Sequence, residues 1–574
     1  MNTRLSRWTS QTTLLAIVLL AIALRLWGIS FGLPYDLTAD EPHQIVQALK
    51  IGAGEGGPLV RMWHTVGKEG LDSILFFEYA LLYVVWWLLG RVQESREFAV
   101  QYLKDPTAFY LVGRVTIAVL GALTVVAVYK VGRRIYDTRV ALGAALFGAV
   151  AYYHAAYSHV INVHIAMTFS MWAGVAMYLA YERSGRRRTL IASGLLLGIA
   201  VALAYTAAIG LMMVLTALFF ISGRGVSRVE TVNAALLVVA ALVGVALLSP
   251  DLLTGAGLLL RNFAAPAQPE PNGDIRTAID SVTILRQGQW TDYLALLATP
   301  YNILTTLGAL IGIIAGVWQR ERWTLLLAAA SLSLLVIVSA ASRGASESYL
   351  LAITPALWLL SSRGIAALPI NRPYAFTVVV LGVNAVPLFF TVRDDAMLAR
   401  PDTRVLAKQW IETNVPSGSK ILMDGMRFRF VQSPPLNGNK ATVARRLANM
   451  SNSELALSQQ MLSLYREAAE QVEGPTYDLY STMYGLDVED LDYYTRTCFD
   501  FIVVSSFNEK RYASEIERVR HPKSARFYQD IKTDSRFQLV HRVDPTVWKH
   551  LGPAISIYRV SCHSNNVVSK VAWR

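Results

Sequence analysis

RLWGISFGLPYDLTADEPHQIVQALK, residues 25 to 50, takes the end of an apolar run into an acidic pair, Asp40-Glu41. The run itself, Thr12 to Gly28, is nearly continuous apolar sequence with Arg25 as its only charge. With its flanks it is about long enough to cross a roughly 30 Å hydrocarbon layer. Arg4 and Arg7 precede it and no acid does, so the positive-inside bias puts the N-terminus in the cytoplasm and Asp40 just outside. No small-x-small cleavage site follows, and the run reads as an uncleaved first helix rather than a signal peptide.

The same character extends along the chain. Of 574 residues, 53% are hydrophobic and 16% charged, and the mean hydropathy of +0.37 excludes an ordinary soluble globular protein. The net charge of +12 does not indicate nucleic acid, because the arginines cluster in short loops between apolar runs, where membrane orientation accounts for them. Apolar runs follow at about 71–90, 109–131, 138–158, 165–182, 189–222, 228–249, 294–318, 323–341, 347–362 and 374–392. If 71–90 lies along the outer interface instead of crossing, then KVGRRIYDTR (Lys130 to Arg139), ERSGRRR (Glu182 to Arg188), SGRGVSR (Ser222 to Arg228), WQRER (Trp318 to Arg322) and SSRG (Ser361 to Gly364) all become cytoplasmic. The run 189–222 is Arg-rich at both ends, so it must go out and back as two short helices turning near Tyr205-Thr206. The expected fold is an α-helical polytopic membrane protein of about eleven transmembrane helices, with interfacial helices in a first outer loop at about 30–108.

From residue 393 the apolar character stops. KILMDG, FDFIVVSS, FQLVHRV and AISIYRV read as strands and alternate with helical stretches, so 393–574 is expected to be a soluble C-terminal α/β domain outside the membrane, beside a membrane domain of 1–392. Cys498 and Cys562, the two cysteines, fall in this domain. Two cysteines do not make a metal cage. A disulfide and two separate thiols are both compatible with the sequence.

Four constellations on the outer side carry candidate chemistry. Asp40-Glu41 opens a helical pattern and reads either as a helix cap or, at a lipid interface, as a general base or metal ligand. YYHAAYSHVINVHIAM places His154, His159 and His164 at the outer end of a helix hairpin, where His and Asn suit a metal or a phosphate as well as headgroups. Arg114 and Arg343 lie near outer helix ends against the positive-inside bias, and a lipid phosphate is their natural partner, with snorkelling the plain alternative. Trp86-Trp87 suits an interfacial helix.

The layout resembles the polyprenyl-phosphate-sugar-dependent glycosyltransferases of the GT-C class, the superfamily of the protein O-mannosyltransferases (glycosyltransferase family 39 type), aminoarabinose transferases and oligosaccharyltransferases. The matching stretches are RLWGISFGLPYDLTADEPHQI, DPTAFYLVGRVTIAVLGALTVVAVYKVGRRIYDTRVALGAALF, AYSHVINVHIAM, SESYLLAITPAL, DTRVLAKQWIETNVPSGSKIL and FDFIVVSS. The resemblance implies transfer of a sugar, a hexose or a pentose, from a polyprenyl-phosphate donor to a lipid, glycan or protein acceptor outside the cell membrane. It gives Asp40 the role of base, with Glu41 beside it. Arg114, His159 and Arg343 are expected on the donor phosphate, and a divalent metal ion, with His164 as ligand, is the cofactor to test. His164 stands where relatives commonly carry a second acid, Ala204 precedes Tyr205 where many have Lys, and in SPDLLTG the acid has moved to Asp251. The competing expectations are a transporter or flippase of lipid-linked sugar and a catalytically inactive scaffold of the same build. No partnership with nucleic acid is expected.

Overall fold

The computed structural model describes residues 2–35, 37–38, 40–52, 70–221, 227–249, 290–340, 346–369, 374–425, 432–452, 459–471, 473–483 and 485–562. They form two compact units: Met1–Ile29, His43–Ala80 and Val112–Asp395 in one, Ser30–Pro42, Leu81–Leu111 and Ala396–Arg574 in the other.

The first unit is helical. Among the described residues six helices are long and apolar enough to cross a membrane: Leu71–Leu88, Thr107–Ile135, Val163–Ser184, Arg228–Leu248, Arg322–Ser339 and the helix beginning at Ala375. Shorter apolar helices run at Ser10–Leu26, Thr138–Val150, Tyr205–Ile221 and Ile303–Gln319. Their outward faces carry Leu15, Leu19, Val119, Phe220, Val239, Ile314 and Val378, all exposed. Exposed apolar faces on helices whose backbone bonds are satisfied internally are what a lipid solvent selects, so the chain is an integral membrane protein.

Charge logic placed a turn in the run 189–222, and the break is there. The helix Arg187–Leu203 ends at Ala204, which is extended (φ −156°), and a 3-10 turn over Tyr205–Ala207 starts the next helix. Other runs depart from their expected bounds. The run 138–158 breaks at Ala151, and 294–318 divides into Trp290–Leu297 and Ile303–Gln319 around Pro300. The helix expected to end near residue 392 continues from Ala375 to Leu398 and carries Arg393, Asp394 and Asp395 in its last turns. The segment Leu71–Leu88, expected to lie in the interface, is one of the six helices with the length and apolarity to cross.

Close helix packing rests on small residues. A β-carbon added at Gly198 would lie 1.9 Å from the carbonyl oxygen of Ala241 on the helix Arg228–Leu248, and one at Gly312 would lie 2.1 Å from that of Leu360. Without a hydrophobic driving force between helices in lipid, such backbone approach is the main source of packing. Gly198→Val is therefore expected to cost about 1–3 kcal/mol by overpacking. Gly382→Ala, with nothing within 4 Å, is the matched control. The midpoint of thermal unfolding in detergent should fall for the first and hold or rise for the second.

The second unit contains a five-stranded sheet in the order β2-β1-β3-β5-β4, with β1 at Lys420–Gly425, β2 at Asp478–Met483, β3 at Phe501–Ser505, β4 at Phe537–Val543 and β5 at Ile555–Val560. β1 is parallel to β2 and β3, and β5 is antiparallel to β3 and β4. One face packs Ala407, Ile411, Met423, Val503 and Ile557, the other Leu422, Tyr494, Ile502, Phe527 and Tyr558. Four of the five strands are those read from the sequence. β2, DLYSTM, was not, because Asp478, Ser481 and Thr482 dilute its apolar pattern at a sheet edge.

Candidate active site

The acidic pair lies in the second unit, on the strap Ser30–Pro42. Arg404 ties that strap to the C-terminal residues. Arg404, on the helix Thr403–Asn414, donates from Nη1 to the carbonyl of Leu37 at 3.0 Å, while its Nε and Nη2 are held by Asp402 at 2.8 and 2.9 Å. Lys408, one turn on, sits over the Tyr35 ring at 5.4 Å. A buried arginine fixed by a bidentate carboxylate is a rigid donor, so the backbone just before Asp40 is anchored by DTRVLAKQW.

The structure distinguishes the two acids. Glu41 opens the helix Glu41–Gly52 and is buried, its Oε2 accepting from Thr38 Oγ1 at 2.6 Å. Burial at a helix N-terminus suits a carboxylate, since the dipole favours its charge. Asp40, one residue earlier, is exposed, and its side chain has no partner among the described residues. Glu41 holds the strap and Asp40 is open to meet another molecule.

The first unit contains the other described candidates. Arg114 is 1% exposed on the helix Thr107–Ile135 and donates from Nη1 to the carbonyl of Ile29 at 2.8 Å. His159, also buried, has Nδ1 2.9 Å from the carbonyl of Ala155 and Nε2 3.0 Å from that of Trp27. Both residues thus hold the backbone that leaves the first helix. A neutral imidazole makes only one of the two bonds; a protonated ring makes both. Asp395 Oδ1, 3.5 Å from Nε2, would balance that charge. In this conformation His159 has no ring nitrogen open to a phosphate.

Arg25, the single charge of the first apolar run, is fully buried and donates to the carbonyls of Ala21, Gly148 and Ala149 and to Nδ1 of His154 at 2.8 Å. Arginine only donates, so the His154 proton sits on Nε2. Arg25 and Asp395 are buried charged groups that the sequence analysis did not name as candidates. For Arg25 the visible signal was a charge inside an apolar run.

His164 stands apart from the other described candidates. It is mostly buried between the rings of Tyr157 and Tyr349, at 6.3 and 6.2 Å, and its backbone N–H is capped by Asn162 Oδ1 at 3.0 Å. Among the described residues no group of three or more His, Cys, Asp or Glu side chains could hold a metal ion. Arg343 and Asp251 lie outside the described residues.

Residues 110–253, a stretch that holds Arg114, His159 and His164, match the family described as dolichyl-phosphate-mannose-protein mannosyltransferase. The match covers well under half of the chain, so it makes this segment similar to that family. No protein of curated function matches the sequence. Solved structures with a similar fold include the oligosaccharyltransferase of Archaeoglobus fulgidus in complex with Zn and sulfate, 12% identical over 93% of this chain and 72% of that one, TM-score 0.47. ArnT from Cupriavidus metallidurans is 14% identical over 96% of this chain and 98% of that one, TM-score 0.48. The arabinofuranosyltransferase AftD from Mycobacteria is 13% identical over 97% of this chain and 40% of that one, TM-score 0.44.

Proposed function

We propose that the protein is a membrane glycosyltransferase that moves a hexosyl or pentosyl group from a polyprenyl phosphate to an acceptor on the outer side of the cell membrane, with its N-terminus cytoplasmic and its C-terminal domain outside. The observation that supports this most is the exposed Asp40 carboxylate on an anchored strap, in a chain whose segment 110–253 is similar to dolichyl-phosphate-mannose-protein mannosyltransferases. Asp40 accepts the proton of the acceptor hydroxyl or amide as the new bond to the sugar's anomeric carbon forms. The old bond to phosphate oxygen breaks, and its electron pair leaves with the polyprenyl phosphate. Positive charge on the sugar and negative charge on the leaving phosphate both grow at the transition state, so a fixed base and fixed cations lower the barrier.

In this reading Glu41 orients the strap, Arg114 and Arg343 supply charge toward the phosphate, and His159 acts by holding the chain at Trp27 rather than by touching the donor. His164 would hold a metal ion only together with donors outside the described residues, and no step here uses one. The donor sugar and the lipid, glycan or protein acceptor are read by class alone.

Purified protein in liposomes, given a radiolabelled polyprenyl-phosphate sugar and a lipid and glycan extract as acceptor, is expected to convert donor to polyprenyl phosphate with label in the extract. Movement of intact labelled donor between leaflets, with no release of polyprenyl phosphate, would establish a flippase instead.

A further inference from the structure

We infer that Cys498 and Cys562 are joined by a disulfide that fastens the end of β5 to the turn before β3. They are the only two cysteines in the chain. In this structure both are thiols and both lie at the surface, with Cys498 within side-chain hydrogen-bonding reach of Cys562.

The register of the sheet brings them together. β3 and β5 are antiparallel, with Ile502 opposite Tyr558 and Phe501 opposite Arg559. The pairing continues past the end of the strands, since Val560 N donates to the carbonyl of Asp500 at 3.0 Å. Carried on residue for residue, it sets Phe499 opposite Ser561 and Cys498 opposite Cys562. The strands end before the cysteines, and there Cys562 Sγ lies 3.9 Å from the carbonyl oxygen of Phe499, the residue next to Cys498.

The turn that presents Cys498 supports the same reading. The helix Leu491–Arg496 ends with Cys498 N donating to the carbonyl of Thr495 and Phe499 N to that of Tyr494, while the Tyr494 and Phe499 rings meet at 5.1 Å. This is the two-bond helix terminus whose left-handed position is normally glycine. Here Cys498 holds it at φ 47°. A side chain at that position is disfavoured for any L-residue, and a cysteine at this one places its thiol beside the only other thiol of the chain.

Formation of the bond removes two protons and two electrons from the thiol pair. The acceptor is the disulfide of an extracytoplasmic thiol oxidoreductase: one cysteine thiolate attacks it to form a mixed disulfide, the second thiolate attacks the chain's own sulfur in that bond, and the oxidoreductase leaves as a dithiol. The inference therefore rests on the proposed outer location of the C-terminal domain.

The test uses the full chain in native membranes, denatured and treated with a mass-tagged maleimide before and after reduction. No tag before reduction and two after, at monomer mass on a non-reducing gel, is the expected result, with one tag before reduction in Cys498→Ser. Two tags without reduction, or migration as a crosslinked dimer, would overturn it. If two tags appear, brief oxidation of the folded purified protein separates the causes. Loss of both tags then shows that the thiols are adjacent and the domain sits in a reducing compartment, whereas persistence shows that the register argument fails.

Discussion

Asp40→Asn is expected to slow sugar transfer by roughly 10² to 10⁴ with the protein folded and still able to bind donor lipid, the usual size of effect when a general base is removed. Asparagine is close to aspartate in size and serves as well at the start of a helix. If Asp40 only capped the helix Glu41–Gly52, the exchange should cost a few tenths of a kcal/mol and no activity. The carboxylate is exposed and has no partner among the described residues, so none of these is left unpaired by the change. Glu41→Gln is the informative companion. Its amide oxygen can still accept from Thr38, so the strap should hold and turnover should fall far less. Turnover and donor binding measured on the same preparations separate a lost base from a lost fold. Near wild-type turnover in Asp40→Asn would remove Asp40 from the chemistry.

How far the sequence reaches is shown by where Asp40 gets its support. The place of the acidic pair was legible, since the apolar pattern of Ile45, Val46 and Leu49 starts a helix just after it. So was the break near Tyr205, because Arg-rich ends on a run of that length leave no other topology. The anchoring was not. Arg404 and Leu37 lie far apart in sequence, and nothing in TRVLAKQW marks Arg404 as a donor to a distant carbonyl. Likewise His159 and Arg114 look like free cations on a helix end, while folding puts them against the carbonyls of Trp27 and Ile29. Hydropathy also ends a membrane helix at its first charges, whereas hydrogen bonding carries the last one on through Arg393 to Leu398 and so delivers Asp395 to His159.

The largest loss of stability is expected from Asp424→Ala in the C-terminal domain. Asp424 stands at the end of β1 and is 4% exposed. Its Oδ1 accepts from Tyr528 Oη at 2.7 Å, Asn508 Nδ2 at 2.7 Å and Thr482 Oγ1 at 3.3 Å, and its Oδ2 from Ser505 N at 3.2 Å. These donors come from β2, the end of β3 and two following helices, so one side chain ties the C-terminal edge of the sheet together. Alanine leaves all four without their acceptor, at a cost on the order of 3–6 kcal/mol. That is a large share of the 5–15 kcal/mol that typically holds a domain.

Charge makes the same residue a pH sensor of stability. Burial pushes the Asp424 carboxyl up to about 6, against the pull of the bonds from Tyr528, Asn508, Ser505 and Thr482. Between its ordinary value of 3.8 and about 6 the folded protein holds a proton that the unfolded chain has released. This contribution to stability is therefore full below pH 4, is lost as pH rises to about 6, and amounts to roughly 3 kcal/mol. Carboxylates of the opposite kind, such as Asp534, which the Arg536 guanidinium holds below its usual range, slope the other way. The measurement must therefore be a difference. Hydrogen-exchange protection factors of the β1 and β3 amides, taken on the full chain between pH 4 and 7, should fall with pH more steeply in the wild type than in Asp424→Asn. The asparagine cannot titrate, keeps an oxygen for Tyr528, and loses only the acceptor for the Ser505 N–H. Equal slopes in the two proteins would mean that Asp424 stays ionised in its buried site. The four donors would then be holding its charge at no pH-dependent cost.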